Sequence, residues 1–329
     1  MVDAKPYIRH HPLLGYEYIP GYRQALPQPG GGHYVLAINA AGIRASREYS
    51  VEKPAGKKRL LVFGDSFAAG QYVSNEDRFS ELLERRLPEW EVINFGLEGT
   101  GTDQQLLIYQ EVGSRYEHDA VLLMPFLQNI RRNLVEAREG FDPRTHEKKL
   151  LGKPRFELVS GKLELRGVPV PTERTTTRAT NGAESNGGWK AKWSRLPGMN
   201  LTKRLIYSIA PWEPFPEYRR SDTPAWLLME AILNRFGEVA QPRPFFIVPA
   251  FYVSYVTFRM ARNYLQRFSE FAARRPNVRI IDLLPSFRAL GDQAVRAFFE
   301  PEDCHYSPLG HLTVADALAS ALALAEPLI

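Results

Sequence analysis

The chain has 329 residues, of which 44% are hydrophobic and 24% charged, and this suits one large α/β domain with insertions or two small domains. Its formal charge of +5 comes from basic residues spread along the chain, without the long basic run that would favour nucleic-acid binding. The chain has no apolar run of the roughly 20 residues that cross a bilayer, so we expect no integral membrane segment. Residues 1–20 lack the apolar core of a signal peptide, which leaves two locations open: the cytoplasm, or an exported protein whose leader has been removed.

Five short apolar runs predict the strands of a central sheet. Their hydrophobicity does not alternate, which is typical of parallel strands that are covered on both faces. Helical patterns lie between or after them, among them 103–117, 254–273 and 309–326. Strands that alternate with helices predict a doubly wound, parallel α/β sheet. The predicted strands are 59–63, 91–95, 119–124, 244–250 and 278–282.

Two regions depart from this alternation. Residues 1–58 are rich in Pro, Gly and Tyr, and we predict that they form an N-terminal extension packed on the core. Residues 136–243 are a long insertion, a candidate lid or substrate wall, and its polar stretch 171–189 is predicted to be a mobile loop. The insertion also contains a predicted hairpin over 156–166 and a predicted helix over 224–236.

A serine stands where the first predicted strand ends. The segment 59–70, RLLVFGDSFAAG, passes from the strand into Gly64, Asp65 and Ser66. Ligands of open α/β sheets bind at the carboxyl ends of the strands, and a glycine permits a tight turn there, so Ser66 is well placed as a nucleophile. A turn that only caps a helix is the alternative interpretation of these three residues.

An acidic residue and a histidine occur together near the C-terminus, in the segment EDCHYSPLGH at 302–311. A serine hydroxyl needs a base, and the base needs an orienting carboxylate. Asp303 and His305 can supply both, because the order of such residues along the chain is not fixed. The alternative is an ordinary helix start, with Ser307 as N-cap and Pro308 at the first helical position.

Two further segments contain candidate donors for an oxyanion. Ester hydrolysis passes through a tetrahedral oxyanion, which requires hydrogen-bond donors that are fixed in advance. A glycine N–H after the second strand, in NFGLEG at 94–99, and a side-chain amide after the third, in PFLQN at 125–129, are such donors. Each segment taken alone is also consistent with an ordinary loop.

Together the four segments resemble the sequence blocks of the SGNH hydrolases, also called GDSL-like esterases. The resemblance covers 59–135 and 244–329, the two predicted halves of the hydrolase core. It implies a flavodoxin-like, three-layer α/β/α fold with a five-stranded parallel sheet. It also assigns the site residues: Ser66, Asp303 and His305 as the catalytic group, and Ser66, Gly99 and Asn129 as the oxyanion hole.

The chain departs from the family pattern at two points. The third block usually reads Gly-x-Asn-Asp, but the Gly and the Asp are absent here. Two amides, Gln128 and Asn129, stand side by side, and either could complete the oxyanion hole. The last block has one residue between Asp303 and His305 rather than two, and the two-residue spacing would pair Glu302 with His305. We prefer Asp303, because the resemblance to Asp-x-His members continues through the residues that follow.

The resemblance implies a serine hydrolase that forms an acyl-Ser66 intermediate and needs no metal or organic cofactor. The N-terminal segments HPLLGYEYIPG and INAAGIR also resemble the leader region of bacterial SGNH proteins associated with polysaccharide or lipid modification. Together with the polar insertion, this favours a small acyl group, an O-acetyl on a carbohydrate, that is removed or transferred. A lipid ester as substrate and a non-catalytic glycan-binding role are the alternatives.

Overall fold

A computed structural model describes residues 6–141, 148–172 and 211–325 of the chain. The strands are β1 (Ile8–His11), β2 (Gly15–Tyr18), β3 (Arg23–Pro27), β4 (His33–Ala37), β5 (Lys58–Gly64), β6 (Trp90–Asn94), β7 (Ala120–Met124), β8 (Ala137–Phe141), β9 (Lys148–Gly152), β10 (Arg155–Val159), β11 (Lys162–Arg166), β12 (Phe245–Ile247) and β13 (Val278–Ile280). The α-helices are α1 (Ser66–Ala69), α2 (Phe79–Arg86), α3 (Thr102–Glu111), α4 (Asn129–Arg132), α5 (Pro224–Ala240), α6 (Ser254–Thr257), α7 (Asn263–Ala273), α8 (Leu284–Ala289) and α9 (Pro308–Ala325). Within the described ranges, no helix is long and apolar enough to cross a membrane.

The central sheet is parallel and has five strands, in the order β6, β5, β7, β12, β13. Helices cover it in a three-layer α/β/α arrangement, with α2 packed on α9 and α3 packed on α5. The predicted fold class is therefore confirmed. The core explains the lack of alternation in the strand sequences, because residues 60–63 of β5 and 121–124 of β7 have no solvent exposure.

The strand order determines where a ligand can bind. The chain runs from β5 to the edge strand β6 and then returns past β5 to β7, so the order reverses between β5 and β7. Gly64 and Met124, the last residues of these two strands, are register partners. In open α/β sheets the crevice at such a reversal, outside the carboxyl ends of the strands, is the usual ligand site.

The predicted helix over 254–273 is wrong in one respect, because the structure has two helices there, α6 and α7. Between them Phe258 is extended and Met260 forms a parallel bridge with Trp212. The N–H of Ala261 donates to the Trp212 carbonyl oxygen at 2.9 Å. A partner distant in sequence thus takes the backbone groups that a continuous helix would use, and no local pattern reveals such a partner.

The predicted hairpin of the insertion is formed by β10 and β11. Its turn residues, Ser160 and Gly161, both have left-handed backbone angles, with φ of 49° and 78°. Two such residues make the turn type whose twist matches that of the paired strands. The predicted mobile loop over 171–189 lies outside the described residues, apart from residues 171 and 172.

The N-terminal segment contacts the helix that begins with Ser66. Arg44 is buried, and its Nη1 atom donates to the carbonyl oxygens of Ala69 at 2.7 Å and Gly70 at 2.8 Å. Carbonyls at the end of a helix have no partner within the helix, and the guanidinium supplies one. Residues of the first 58 therefore help to hold α1 in place.

Candidate active site

Ser66 occupies the first position of α1, immediately after the end of β5. The preceding Asp65 is the N-cap, and its Oδ1 accepts the Phe67 N–H at 3.1 Å. Gly64 has no room for a side chain, because a Cβ there would collide with Ala68 and lie 2.8 Å from the Met124 carbonyl oxygen. The Gly-Asp-Ser sequence therefore produces a sharp strand-to-helix turn that places the Ser66 hydroxyl at the carboxyl end of the sheet.

The structure brings Ser66, His305 and Asp303 together. The Nε2 atom of His305 lies 2.7 Å from Ser66 Oγ, and its Nδ1 is hydrogen-bonded to Asp303 Oδ1. The same Asp303 oxygen accepts the His305 backbone N–H at 2.9 Å. A carboxylate at Nδ1 favours the tautomer with the proton on Nδ1, which leaves Nε2 free to accept the serine proton. Among the described residues, Glu302 makes no hydrogen bond or ion pair with His305.

The contact with His305 keeps the Asp303 carboxylate ionised. Burial alone would raise the pKa of Asp303, but the hydrogen bond and charge of His305 outweigh it and lower the pKa below its ordinary value of 3.8. Asp303 is therefore available as the anion that orients the imidazole at neutral pH.

Backbone contacts hold the loop that presents His305. The His305 carbonyl oxygen accepts the Phe299 N–H at 2.9 Å, and Ser307 N–H donates to the Ala297 carbonyl oxygen at 3.0 Å. Gly310 packs so closely on this loop that a Cβ would collide with the same Ala297 oxygen. The short loop is thus attached at the histidine itself and at residues that follow it, which restricts the motion of the imidazole.

Aromatic rings surround the imidazole. The ring of Phe67 lies 5.0 Å from that of His305, and the ring of Tyr72 lies 5.7 Å away at a steep angle. Tyr72 has φ of 71°, which is unusual for a bulky residue and is a form of backbone strain found at functional sites. Tyr72 was not predicted as a site residue, because neither its contact with His305 nor its backbone angle follows from a local pattern.

Gly99 and the two consecutive amides follow the neighbouring strands, as predicted. Gly99 has φ of 76°, and a Cβ there would collide with the Arg138 guanidinium. Asn129 has no solvent exposure, its Oδ1 accepts from Arg132, and its Nδ2 has no hydrogen-bond partner in the described part of the chain. Gln128 is 7% exposed, and its Oε1 accepts from the Tyr252 hydroxyl at 2.8 Å.

One group of residues has the composition of a metal site, but its atoms are already engaged. Ligand atoms of Asp303, Cys304 and His305 lie within 4.8 Å of one another. Asp303 Oδ1 and His305 Nδ1 are hydrogen-bonded to each other, so a metal ion coordinated by them would compete with the Asp303–His305 contact. Across the described ranges, no other set of three such residues is as close.

By sequence, the chain matches no known protein family and no curated protein. Solved structures that resemble it include a lipolytic protein of the G-D-S-L family from Veillonella parvula, with 11% identity, a TM-score of 0.44, and coverage of 81% of this chain and 98% of that one. A lipase/acylhydrolase from Enterococcus faecalis has 14% identity and a TM-score of 0.41, over 80% of this chain and 95% of that one. An acetyl xylan esterase from Geobacillus stearothermophilus has 15% identity and a TM-score of 0.43, over 80% and 94%.

The fold of the chain agrees with the family resemblance, and the first and last of its four segments lie next to each other. The sheet has the flavodoxin-like strand order, and the first and last segments meet at its carboxyl end. The chain thus has the three-layer fold that is expected of an SGNH hydrolase.

Proposed function

We propose that the protein is a serine esterase that removes a small acyl group through an acyl-Ser66 intermediate. The observation that supports this most directly is the continuous contact from Ser66 Oγ to His305 Nε2 and from His305 Nδ1 to Asp303. A nucleophile within hydrogen-bond reach of a base, itself oriented by a third group, is the arrangement that defines this type of catalysis.

In the acylation step, Ser66 Oγ forms a bond to the carbonyl carbon of the ester while His305 Nε2 takes the hydroxyl proton. The tetrahedral intermediate then collapses, the bond to the alcohol oxygen breaks, and the protonated His305 gives its proton to that oxygen. The products are acyl-Ser66 and a free alcohol. Asp303 stabilises the imidazolium that exists between the two proton transfers.

The negative charge that forms on the carbonyl oxygen requires donors. The backbone N–H groups of Ser66 and Gly99 have no hydrogen-bond acceptor among the described residues and can serve this purpose. A side-chain amide at the start of α4 is the third donor, for which the sequence favours Asn129, with Gln128 as the alternative.

Deacylation repeats the same chemistry with a second nucleophile. Water, or the hydroxyl of an acceptor, gives a proton to His305 Nε2 and attacks the acyl carbon, and Ser66 leaves with that proton. Water yields hydrolysis and a carboxylic acid, whereas an acceptor hydroxyl yields acyl transfer and a new ester. We propose hydrolysis of an O-acetyl group on a carbohydrate as the primary reaction.

Two observations support a small acyl group on a polar alcohol. Phe67 and Tyr72 pack against the imidazole, and Ser66 is only 5% exposed, which favours a small acyl group over a long chain. Tyr72 and Tyr252 remain partly exposed, and the amphipathic ring of tyrosine provides an apolar face with a polar tip. Such rings suit a carbohydrate, which has both apolar and hydroxyl faces.

The test is hydrolysis of the para-nitrophenyl esters of acetate, butyrate and octanoate by the wild type, Ser66→Ala and Ser114→Ala. Ser114 is an exposed serine whose hydroxyl donates to the Gln110 carbonyl oxygen at 2.9 Å, so it is a matched control. We expect turnover of the acetate ester, its loss in Ser66→Ala, its retention in Ser114→Ala, and an acetyl adduct on Ser66 by mass spectrometry.

Other outcomes would lead to different conclusions. A preference for octanoate would favour a lipid ester as the substrate. A folded wild type that cleaves none of these esters, and no acetylated oligosaccharide, would refute the proposed activity and favour a glycan-binding role, which isothermal titration with oligosaccharides would measure.

A further inference from the structure

One guanidinium contacts all three segments that hold the predicted oxyanion donors. The Nη1 atom of Arg132 lies 2.7 Å from Asp65 Oδ2, 3.4 Å from the Thr100 carbonyl oxygen and 3.3 Å from Asn129 Oδ1. These three acceptors follow three different strands of the sheet. Asp65 and Thr100 are next in sequence to the candidate donors Ser66 and Gly99. Asn129 is itself a candidate donor, and it follows the other candidate amide, Gln128.

The contact with Asp65 is the shortest of the three. An Nη1 group has two hydrogens, so we assign one to Asp65 and consider the other to be shared between the two longer contacts. Asp65 has no solvent exposure, and its second oxygen accepts the Phe67 N–H at the start of α1. Burial raises the pKa of Asp65, and the nearby charge of Arg132 opposes that rise.

We infer that Arg132 is a positioning residue for ester hydrolysis, which fixes the segments of Ser66, Gly99 and the α4 amides relative to one another. This inference rests on the proposed function. Arg132 acts through the backbone and side chains that it contacts, and it does not touch the reacting atoms.

The rate depends strongly on the positions of the oxyanion donors, so a residue that positions them can affect kcat. Donors must lie about 2.7–3.1 Å from the oxygen that becomes negative. A shift of about 1 Å caused by a change outside the reacting groups can lower the rate about 100-fold. Without Arg132, the three segments lose their common partner, and the negative charge of Asp65 is left buried beside Ser66.

The first experiment compares Arg132→Met with Arg131→Met. Arg131 is a matched control, because it lies on the same helix but binds Glu217 and the Pro214 carbonyl oxygen rather than the three segments. For para-nitrophenyl acetate, we expect kcat of Arg132→Met to fall about 100-fold with KM within about threefold of wild type. We expect Arg131→Met to keep kcat within about threefold, which is the range of a residue outside the site.

A second variant tests whether the loss of kcat in Arg132→Met comes from lost positioning or only from the uncompensated charge of Asp65. In Asp65→Asn/Arg132→Met the buried charge is gone, but the contacts of the guanidinium with Thr100 and Asn129 are also gone. We expect this double variant to be folded by circular dichroism and to remain slow. We also expect added guanidinium ion to raise kcat of Arg132→Ala several-fold and to leave Arg131→Ala unchanged.

The results distinguish this inference from the proposed function. All rates are normalised to the fraction of Ser66 that reacts with a fluorophosphonate, so partial unfolding does not imitate a loss of kcat. A reactive wild type with an equally fast Arg132→Met, or a double variant that recovers wild-type kcat, would overturn the positioning role alone. A wild type in which Ser66 reacts with neither ester nor fluorophosphonate would overturn the proposed function and this inference together.

Discussion

The hydroxyl of Tyr252 donates to Gln128 Oε1 at 2.8 Å and thereby sets the orientation of the Gln128 amide. The adjacent amide is held differently, because Asn129 Oδ1 faces Arg132 and its side chain has no solvent exposure. Two neighbouring amides with fixed oxygens are therefore available at the start of α4, and they differ in how far they are buried.

This difference predicts which amide stabilises the oxyanion. A substrate oxygen must reach the donor, and Gln128 retains 7% exposure whereas Asn129 retains none. We expect Gln128→Ala to lower kcat by about 100- to 1,000-fold, the usual cost of losing one such donor. We expect Asn129→Ala to lower thermal stability and to lower kcat less than Gln128→Ala does, because Arg132 loses one acceptor but keeps its contacts with Asp65 and Thr100. Steady-state kinetics with matched melting curves measure both, and the reverse ranking would assign the donor to Asn129.

The carboxylate that orients His305 can be tested with an adjacent control. In Asp303→Asn the side chain keeps its size, but its amide can donate to Nδ1 and favour the wrong tautomer. We expect kcat to fall by about 10,000-fold, as for comparable triads. Glu302→Gln changes the neighbouring acid, which does not contact His305, and should keep kcat near that of the wild type. Equal losses in the two variants would contradict the assignment of Asp303.

The buried histidine of α9 predicts how stability depends on pH. His311 accepts the Phe79 N–H at 3.3 Å, and burial, reinforced by Arg44 and Arg78, lowers its pKa from 6.5 to about 3. The folded state binds fewer protons than the unfolded state between these values, so stability is lost as pH falls through that window. From pH 7 to pH 5 we expect this group alone to cost about 2 kcal/mol.

The measurement is urea unfolding of the wild type and His311→Gln at pH 7 and pH 5. The variant removes the titrating group, so its loss of stability over this interval should be smaller by about 2 kcal/mol. The same pH dependence in both proteins would show that other groups determine it.

A buried ion pair links the insertion to α3. Lys153 Nζ donates to Asp103 Oδ2 at 2.5 Å, to the Arg132 carbonyl oxygen at 3.1 Å and to the Val135 carbonyl oxygen at 3.3 Å. We expect Lys153→Met to lower the free energy of unfolding by about 3–5 kcal/mol, because it leaves the buried Asp103 carboxylate without its positively charged partner. Asp103→Asn/Lys153→Met should recover part of this loss in chemical denaturation. A double variant less stable than Lys153→Met would contradict this account.

The features that are predicted best from the sequence are those that local patterns determine. The strands of the sheet were recognisable because both of their faces are buried and their residues therefore do not alternate. Ser66 and His305 were candidates because the chemistry requires those residue types beside particular elements, and the family resemblance of the four segments assigned their roles. The roles of these residues in catalysis stay predictions until the kinetics are measured.

Other features depend on contacts that a linear pattern does not contain. Arg132 was one basic residue among 42 Lys and Arg, and only its contacts with three segments distinguish it. Tyr252 became relevant through the hydroxyl that reaches Gln128. The break between α6 and α7 likewise depends on Trp212, a residue of the insertion. Each arises from tertiary packing, which overrides local preference.

The hydroxyl and imidazole that meet in the site are separated by 239 residues of chain. Such a contact has a very high sequence separation, so it forms only after most of the long-range topology is in place. During synthesis from the N-terminus, Ser66 emerges long before His305, and the nascent chain therefore lacks the contact on which the proposed hydrolysis depends. Ester turnover should consequently serve as a sensitive reporter of complete folding, more stringent than the appearance of secondary structure.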